Sequence, residues 1–574
     1  MPHLFHIPVM GTCFTTDSPL RVAHLGIDSA ISLVDDKLIE RIGLDYAQKS
    51  KMPYTKVLSS KEHARSARIQ FYLDLVNALV QKNFTRVLRE PFSGDSEKDL
   101  YFKLLPTQDP LRLRYEKMLK LPKGDARLSE EKSLTEMMRP GSIDVNIMVK
   151  LDRPGFDDAK EALRGYAESS LCGNTSLILS AGINQALFTE MEKFPCFYRN
   201  AEGSFDKRIV LKISDFRSAE IQGKFLARKG LEVSEYRIES GLNCGGHLFP
   251  AEGELLPLIL QEVAASKEKL VCSFQSSVVK YYETHGLDTK RLVPFVPKWT
   301  AQGGIGNFGE IERLVENFGM DRCGIGSPFL LVPEATLVDD ETRAQLAKAN
   351  FEDIQLSYAS PLDVPFSLLK NCGAEQARLK RIAEGNPGSL CPKGFLQNNT
   401  EFSSRPICTA SREYQKKKLC EIEKSDIPLD QKIKEKNRVL AKSCICHELG
   451  NSALIALGLE DARSFPPEIC PGPNVAYFNR IYSLKEMVDF FYGRGESLTS
   501  QNRPHMFALE ILLYAKWFKD CIEEGKPLQK IARNLKRGCD FALEISKSQA
   551  FPGENLRSIQ DAVARTLPLI EPYL

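Results

Sequence analysis

Short apolar segments alternate with helical patterns through the first 335 residues, and this alternation constrains the fold more than any other sequence feature. Eight segments have the length and apolar content of buried strands, at residues 6–13, 28–34, 143–149, 177–181, 209–213, 236–240, 293–300 and 321–326. Strands that alternate with helices build parallel α/β sheets, and eight of them suffice to close a barrel. We therefore predict a (β/α)8 barrel rather than an open doubly wound sheet.

Three stretches fall outside this alternation. Residues 37–140 are charged, rich in helix formers and without a clear strand, which predicts a helical insertion after the second strand. Residues 361–475 are rich in cysteine, and residues 476–574 are mainly helical, with Pro504 and Pro527 each at the beginning of a helix. We expect residues 1–36 and 141–360 to form the barrel that carries these additions.

The composition of the chain argues against a nucleic-acid partner and against a membrane span. The chain has 574 residues, and 77 Lys and Arg balance 75 Asp and Glu, so nucleic acid is not an expected partner. The basic run at residues 416–418 is interleaved with acidic residues and is typical of a solvated helix face. No apolar run is long enough to predict a membrane span, and the N-terminus lacks the basic region of a signal peptide. Fifteen cysteines, an odd number, favour a reducing compartment, so we expect a cytoplasmic protein.

Two glycine-rich segments follow the last two predicted strands, at residues 302–307 (QGGIGN) and 324–329 (GIGSPF). Glycines let the backbone approach a ligand closely, and a helix that begins after them presents unpaired N–H groups. Each segment alone is also typical of a tight turn. Together they lie where (β/α)8 barrels commonly bind phosphate, so we predict a phosphate site there.

A third segment, residues 239–247 (ESGLNCGGH), follows the sixth predicted strand. Its histidine, His247, comes after two glycines at the end of the strand where barrel enzymes place catalytic groups. An imidazole can take up a proton near neutral pH, so we predict proton transfer by His247. A solitary histidine is more often structural, and the position at the strand end is what favours the catalytic interpretation.

In this order, the three segments resemble the nitronate monooxygenase (2-nitropropane dioxygenase-like) family of FMN-dependent TIM-barrel flavoproteins. The matching stretches are NCGGH at 243–247, GGIGN at 303–307 and GSPFLLVPEA at 326–335, with VMGT at 9–12, VNIMV at 145–149 and LSAGIN at 179–184. A related branch, the trans-acting enoyl reductases of polyunsaturated fatty acid and polyketide synthases, is also similar and carries a helical C-terminal extension. Its Gly-Pro-Ala-Met-Gly-Ala-Phe-Asn segment weakly resembles residues 472–479.

The resemblance implies an FMN-binding oxidoreductase with His247 as the catalytic base. The residues it implies for FMN are Met10, Gly11, Thr12, Asn146, Gly245, Gly246, Gly303, Gly304, Gly306, Gly326 and Ser327. This sequence departs from the family pattern at Ser240, Asn243 and Pro328, where the family has Gln, Glu and Arg. The resemblance therefore supports FMN binding by this chain more strongly than it supports nitronate oxidation.

Several functional alternatives remain open at this stage. The substrate is either an activated carbon acid or a conjugated C=C compound, small or carrier-bound, and an external electron donor or oxygen completes the reaction. A competing interpretation is a barrel that has lost its chemistry and serves as a scaffold for a metal-stabilised interaction module. A flavin absorption spectrum distinguishes the enzyme from the scaffold.

Cysteines concentrate between residues 391 and 470, in a stretch with little apolar periodicity. Thiolates bind iron–sulfur clusters and zinc, and a bound metal can stabilise a segment that has a small core. We predict a metal centre on Cys391, Cys408, Cys444 and Cys446, as an Fe–S cluster in preference to Zn²⁺. The alternative is a set of buried free thiols, because the spacing matches no common metal motif.

Overall fold

A computed structural model describes residues 3–148, 157–180, 182–293 and 295–574 and contains a parallel barrel of eight strands. Each strand pairs with its neighbour in the chain, and β1 pairs with β8. A bridge between Ile7 and Ser29 joins β1 to β2 and completes the circle. The strands are β1 Phe5–His6, β2 Ser29–Ser32, β3 Ile143–Ile147, β4 Ser176–Leu179, β5 Arg208–Ile213, β6 Val233–Glu239, β7 Lys298–Gln302 and β8 Arg322–Gly324. The predicted (β/α)8 barrel is confirmed, although the strands are shorter than the predicted segments at several ends.

The helices up to the end of the barrel are α1 Ser18–Val22, α2 Asp36–Ser50, α3 Ala64–Arg89, α4 Glu97–Leu104, α5 Pro110–Leu119, α6 Asp125–Met137, α7 Asp158–Ala167, α8 Gln185–Met191, α9 Phe216–Ala227, α10 Leu256–Thr284, α11 Phe308–Glu316 and α12 Asp340–Lys348. Five of them, α2 to α6, lie between β2 and β3, as the sequence predicts. α2 and α3 bury Ile39, Ile42, Ile69 and Tyr72 in the main core, so they cover the barrel. α4 to α6 enclose a second, smaller core with the C-terminal part of α3.

After the barrel the chain forms a hairpin and eight further helices. They are β9 Ile354–Ser357 and β10 Phe366–Leu369, then α13 Gly373–Ala383, α14 Arg412–Lys424, α15 Leu429–Ala441, α16 Ile445–Ala456, α17 Leu484–Phe491, α18 Met506–Glu523, α19 Gln529–Ser546 and α20 Arg557–Ile570. Buried side chains of α16 and of α18 to α20 join the same apolar core as the barrel. Among the described residues, no helix is both long and apolar enough to cross a membrane.

Charged side chains are buried inside the barrel. Arg237 is 1% exposed and bonds Glu235 at 2.8 Å and Asp144 at 3.1 Å. Breaking one partner of such a buried pair is costly, because the remaining charge has no solvent to stabilise it. Side chains alternate between the two faces of a strand, so Glu239 points to the same inner side as Glu235 and Arg237. This alternation places Glu239 at the C-terminal mouth of the barrel.

Candidate active site

A cavity of about 260 Å³ lies at the C-terminal mouth of the barrel, and its wall includes residues from the ends of the eight strands or the loops that follow them. This is the face on which enzymes of this fold carry their active sites. The wall that faces away from the barrel comes from later parts of the chain. It is apolar and includes Leu362, Phe366, Phe395, Leu396, Ile445 and Leu449. The cavity therefore lies between the barrel and the region that follows it.

Every residue predicted from the sequence to bind FMN or to act in catalysis lines this cavity, except Gly306. The structure thus brings together residues from the ends of β1, β3, β6, β7 and β8. Gly306 lies behind the wall, where a Cβ atom would be 2.1 Å from Nε of Arg503. A glycine is required at position 306 because the Arg503 side chain approaches the backbone closely, and not because this residue contacts the cavity.

The two glycine-rich segments place residues with unpaired backbone amides at the cavity wall. The N–H groups of Gly303, Gly304 and Gly326 donate to no acceptor among the described residues. Gly303 and Gly304 have φ angles of +112° and +80°, and a Cβ atom on Gly304 would lie 1.9 Å from the side-chain nitrogen Nδ2 of Asn243. Only glycine permits this packing of the loop after β7 against the loop after β6. The free amides form a cradle suited to a phosphate group.

Four buried side-chain oxygens around the cavity lack a hydrogen-bond partner among the described residues. They belong to Thr12 (Oγ1), Asn146 (Oδ1), Asn243 (Oδ1) and Gln302 (Oε1). Leaving such an atom unsatisfied costs about 1–3 kcal/mol, and a polar ligand would remove that cost. A ligand with a phosphate, a flat apolar body and polar ring edges matches the amide cradle, the apolar wall and these oxygens. The residues present therefore fit FMN.

His247 is held at the cavity by residues that follow the barrel. Its Nε2 lies 2.8 Å from the hydroxyl of Ser360, and its ring packs edge-on against Phe366 with the centroids 5.1 Å apart. The Ser360 hydroxyl also accepts a hydrogen bond from the backbone N–H of Leu362 at 3.1 Å. The tautomer of His247 decides whether Nε2 accepts from this hydroxyl or donates to it. The sequence predicted the histidine but not this support, because Ser360 lies 113 residues further along the chain.

A charged pair that the sequence reasoning missed lies at the same mouth. Lys212 Nζ, at the end of β5, is 3.0 Å from Glu239 Oε1, at the end of β6. Gln302, at the end of β7, donates from Nε2 to the same oxygen at 2.5 Å. Among the described residues, Lys212 and Glu239 are the charged side chains that line the cavity. Their inward position in the strand alternation was the available signal.

The segment at residues 470–474 (CPGPN) crosses the cradle and was also missed as part of the site. Gly246 donates its N–H to the carbonyl of Cys470 at 3.1 Å, and Gly472 donates its N–H to the Ser327 hydroxyl at 2.7 Å. Asn474 donates from Nδ2 to the carbonyl of Ile305 at 2.8 Å. One short segment thus connects the loops after β6, β7 and β8.

The two departures from the family pattern at the end of β6 both contact α18. Ser240 donates to Glu510 Oε1 at 2.5 Å, and Asn243 donates from Nδ2 to the carbonyl of Met506 at 3.0 Å. Glu510 is 1% exposed and also accepts the N–H of Leu256 at 2.9 Å. Burial raises the pKa of Glu510 to about 7. Ser240 and Asn243 therefore serve the attachment of the C-terminal helices to the barrel.

The predicted metal centre finds no support. The four cysteines lie near one another, and a hydrogen bond that the Cys408 thiol donates to Cys391, together with burial, raises the pKa of Cys408 far above its usual value. Yet no group of three or more His, Cys, Asp or Glu side chains in the described ranges is arranged to hold a metal ion. Cys408 and Cys444 are buried, and Cys446 lines the cavity wall. The alternative of buried free thiols matches Cys408 and Cys444, whereas Cys391 and Cys446 are partly exposed.

No protein-family model and no curated protein sequence matches this chain significantly. Among solved structures, the chain is similar to the enoyl reductase domain of MlnA from the macrolactin biosynthesis cluster of Bacillus amyloliquefaciens, at 14% identity and a TM-score of 0.37, over 64% of this chain and 84% of that one. It is also similar to nitroalkane oxidase from Streptomyces ansochromogenes, at 11% identity and a TM-score of 0.37, over 85% and 94%. A third similar structure is an IMP dehydrogenase/GMP reductase-like protein from Corynebacterium glutamicum. It shares 12% identity at a TM-score of 0.24, over 58% of this chain and 65% of that one. Scores this low carry no argument about chemistry, which rests on the cavity itself.

Proposed function

We propose that this protein is an FMN-dependent oxidoreductase whose active site is the cavity at the barrel mouth. The observation that carries the proposal is the cradle of unpaired amides from Gly303, Gly304 and Gly326. It adjoins an apolar cavity with unsatisfied polar atoms at its edge. The motif resemblance to nitronate monooxygenases supports the same conclusion independently of this geometry.

The chain's own groups divide into those that bind and those that react. The three glycine amides and the Ser327 hydroxyl would hold the phosphate, while Thr12, Asn146 and Gln302 would offer hydrogen bonds to the polar edges of the ring system. When bound, FMN supplies hydride or single-electron exchange with the substrate. The apolar wall excludes water from the reacting groups, which strengthens every electrostatic interaction in the cavity.

His247 transfers the proton that accompanies the redox step. Its Nε2 faces the Ser360 hydroxyl, which orients the ring and leaves it at the edge of the cavity. Lys212 brings a positive charge to the same cavity, where it stabilises negative charge that develops on the reacting ligand. Glu239 and Gln302 hold Lys212 and the end of β6 in place.

Two substrate classes are consistent with these roles. One is an activated carbon acid such as a nitronate, with oxygen as the electron acceptor. The second is a conjugated C=C compound on an acyl chain, small or carrier-bound, reduced with electrons from an external donor. The apolar wall formed by Leu396, Ile445 and Leu449 favours the second, because an acyl chain would bury its methylene groups there.

A direct experiment separates these candidates. Purified protein reconstituted with FMN is mixed under anaerobic conditions with alkyl nitronates, and separately with NADH or NADPH followed by an enoyl thioester. Bleaching of the flavin band by a nitronate supports the first class. Bleaching by the nucleotide and reoxidation by the enoyl thioester supports the second. A flavin that neither treatment reduces contradicts the proposed oxidoreductase function.

A further inference from the structure

Arg503 is a buried arginine that joins the C-terminal region to the loop after β7. Its side chain is 4% exposed and does not line the cavity. Nη2 donates to the carbonyl of Gly304 at 2.7 Å, and Nε donates to Oδ1 of Asn474 at 2.7 Å. Nη1 bonds Glu310 at 2.7 Å. The guanidinium thus connects the cradle, the segment at 470–474 and helix α11.

The partners of Arg503 hold the same loop from other sides. Glu310 accepts the N–H of Gly306 at 2.8 Å and the N–H of Met506 at 2.8 Å. Asn474 donates to the carbonyl of Ile305. Two carbonyls and one amide of the backbone from Gly304 to Gly306 therefore form hydrogen bonds with buried side chains. All of these partners are buried, so the hydrogen bonds are shielded from competing water.

A hydrogen bond to the carbonyl of Gly304 also fixes the direction of the next N–H group in the chain. The C=O of Gly304 and the N–H of Ile305 belong to one planar trans peptide and point to opposite sides. With its carbonyl on Arg503, this peptide directs the Ile305 N–H away from the guanidinium. That N–H donates to no acceptor among the described residues, and Ile305 lines the cavity.

We propose that Arg503 is a positioning residue of the phosphate site, which orients the Ile305 amide of the loop after β7 without touching the ligand itself. This inference rests on the proposed FMN site. It predicts that the C-terminal region is needed for recognition of the phosphate group and not only for stability. Arginine suits this task because its planar fork bonds several acceptors at fixed angles, which a lysine cannot reproduce.

Comparison of FMN with riboflavin tests the inference, because riboflavin lacks the phosphate. We expect R503K to fold, to weaken FMN binding by about tenfold or more through loss of charge-assisted hydrogen bonds, and to leave riboflavin affinity nearly unchanged. Dissociation constants come from quenching of flavin fluorescence. The melting temperature of the ligand-free protein is measured in parallel.

A matched control is available in Arg313, which forms a similar buried pair with Glu554 at 2.6 Å and is 2% exposed. Arg313 also joins α11 to the C-terminal region, but it bonds Glu554, Ser548 and Gln549 rather than the loop. R313K should lower the melting temperature and leave the ratio of FMN to riboflavin affinity at the wild-type value. An unchanged ratio in folded R503K overturns the inference.

A second variant keeps the test decisive if R503K does not fold. Asn474→Ala removes the partner of Arg503 Nε and the bond to Ile305, and it should reduce the FMN-to-riboflavin ratio in the same direction. An unchanged ratio in Asn474→Ala then overturns the inference. If wild-type protein binds neither flavin, the proposed function itself fails. If it binds FMN and riboflavin equally, the phosphate site and this inference fail, while flavin binding itself is retained.

Discussion

His247 offers a test of the chemistry at a single residue. We expect His247→Ala to retain FMN and to slow the substrate-dependent reduction or reoxidation of the flavin by about 10²–10⁴-fold, the usual contribution of a general acid or base. Stopped-flow absorbance at the flavin band measures this rate. The exposed His285 is the control, since it lies outside the cavity. An unchanged rate in His247→Ala would remove the residue from the mechanism.

The side chain of Glu510 predicts a pH dependence of stability. Burial raises its pKa to about 7 in the folded protein, whereas an unfolded glutamate titrates near 4.3. The folded state therefore favours the protonated form, and the stability associated with it is lost as the pH rises from about 4.3 to about 7. Protonated Glu510 can donate to Ser240 while it accepts from Leu256, and glutamine mimics this arrangement.

We expect Glu510→Gln to be close to wild type in stability at pH 5 and more stable at pH 8, by up to about 3 kcal/mol. Urea unfolding at both pH values measures the difference. The exposed Glu571→Gln serves as the control and should show no such change. A Glu510→Gln variant whose stability relative to wild type is the same at pH 5 and pH 8 would contradict the buried, protonated carboxyl.

At the scale of secondary-structure elements, the sequence predicted the barrel strands because each combines apolar content with a glycine or polar residue at its end. It also predicted that residues 476–574 are mainly helical, and Phe507 and Ile511, one helical turn apart in α18, are both buried. Periodicity does not say which surfaces meet. The contacts of Ser360, Asn474 and Glu510 with the barrel mouth join distant parts of the chain and could not be predicted.

The strand end after β8 carries a prediction about the cradle. A Cβ atom at Gly326 would lie 3.3 Å from Sδ of Met10 and Cγ of Pro8. The flexible methionine can move by a few tenths of an ångström, so Gly326→Leu should fold, but its side chain would occupy the cavity. We expect loss of FMN binding with a melting temperature near that of the wild-type apoprotein. Full flavin occupancy in Gly326→Leu would contradict the placement of the phosphate.

At the scale of the whole molecule, the barrel and the region after residue 360 share one apolar core. Buried residues of α16 and of α18 to α20 belong to the same cluster as the barrel residues. Such continuity favours cooperative unfolding. We expect one main calorimetric transition for these parts, and a barrel truncated after residue 360 to be insoluble because it would expose that surface. Two well-separated transitions, or a soluble truncated barrel, would show that they are independent.

The central claim is that the barrel mouth binds FMN through its phosphate. Titration of purified apoprotein with FMN and with riboflavin, followed by absorbance and fluorescence, tests this most directly. The account predicts one FMN per chain, a structured flavin absorption band, quenched fluorescence and clearly weaker binding of riboflavin. A colourless protein that leaves both flavins fluorescent and unbound at high micromolar concentration would contradict it.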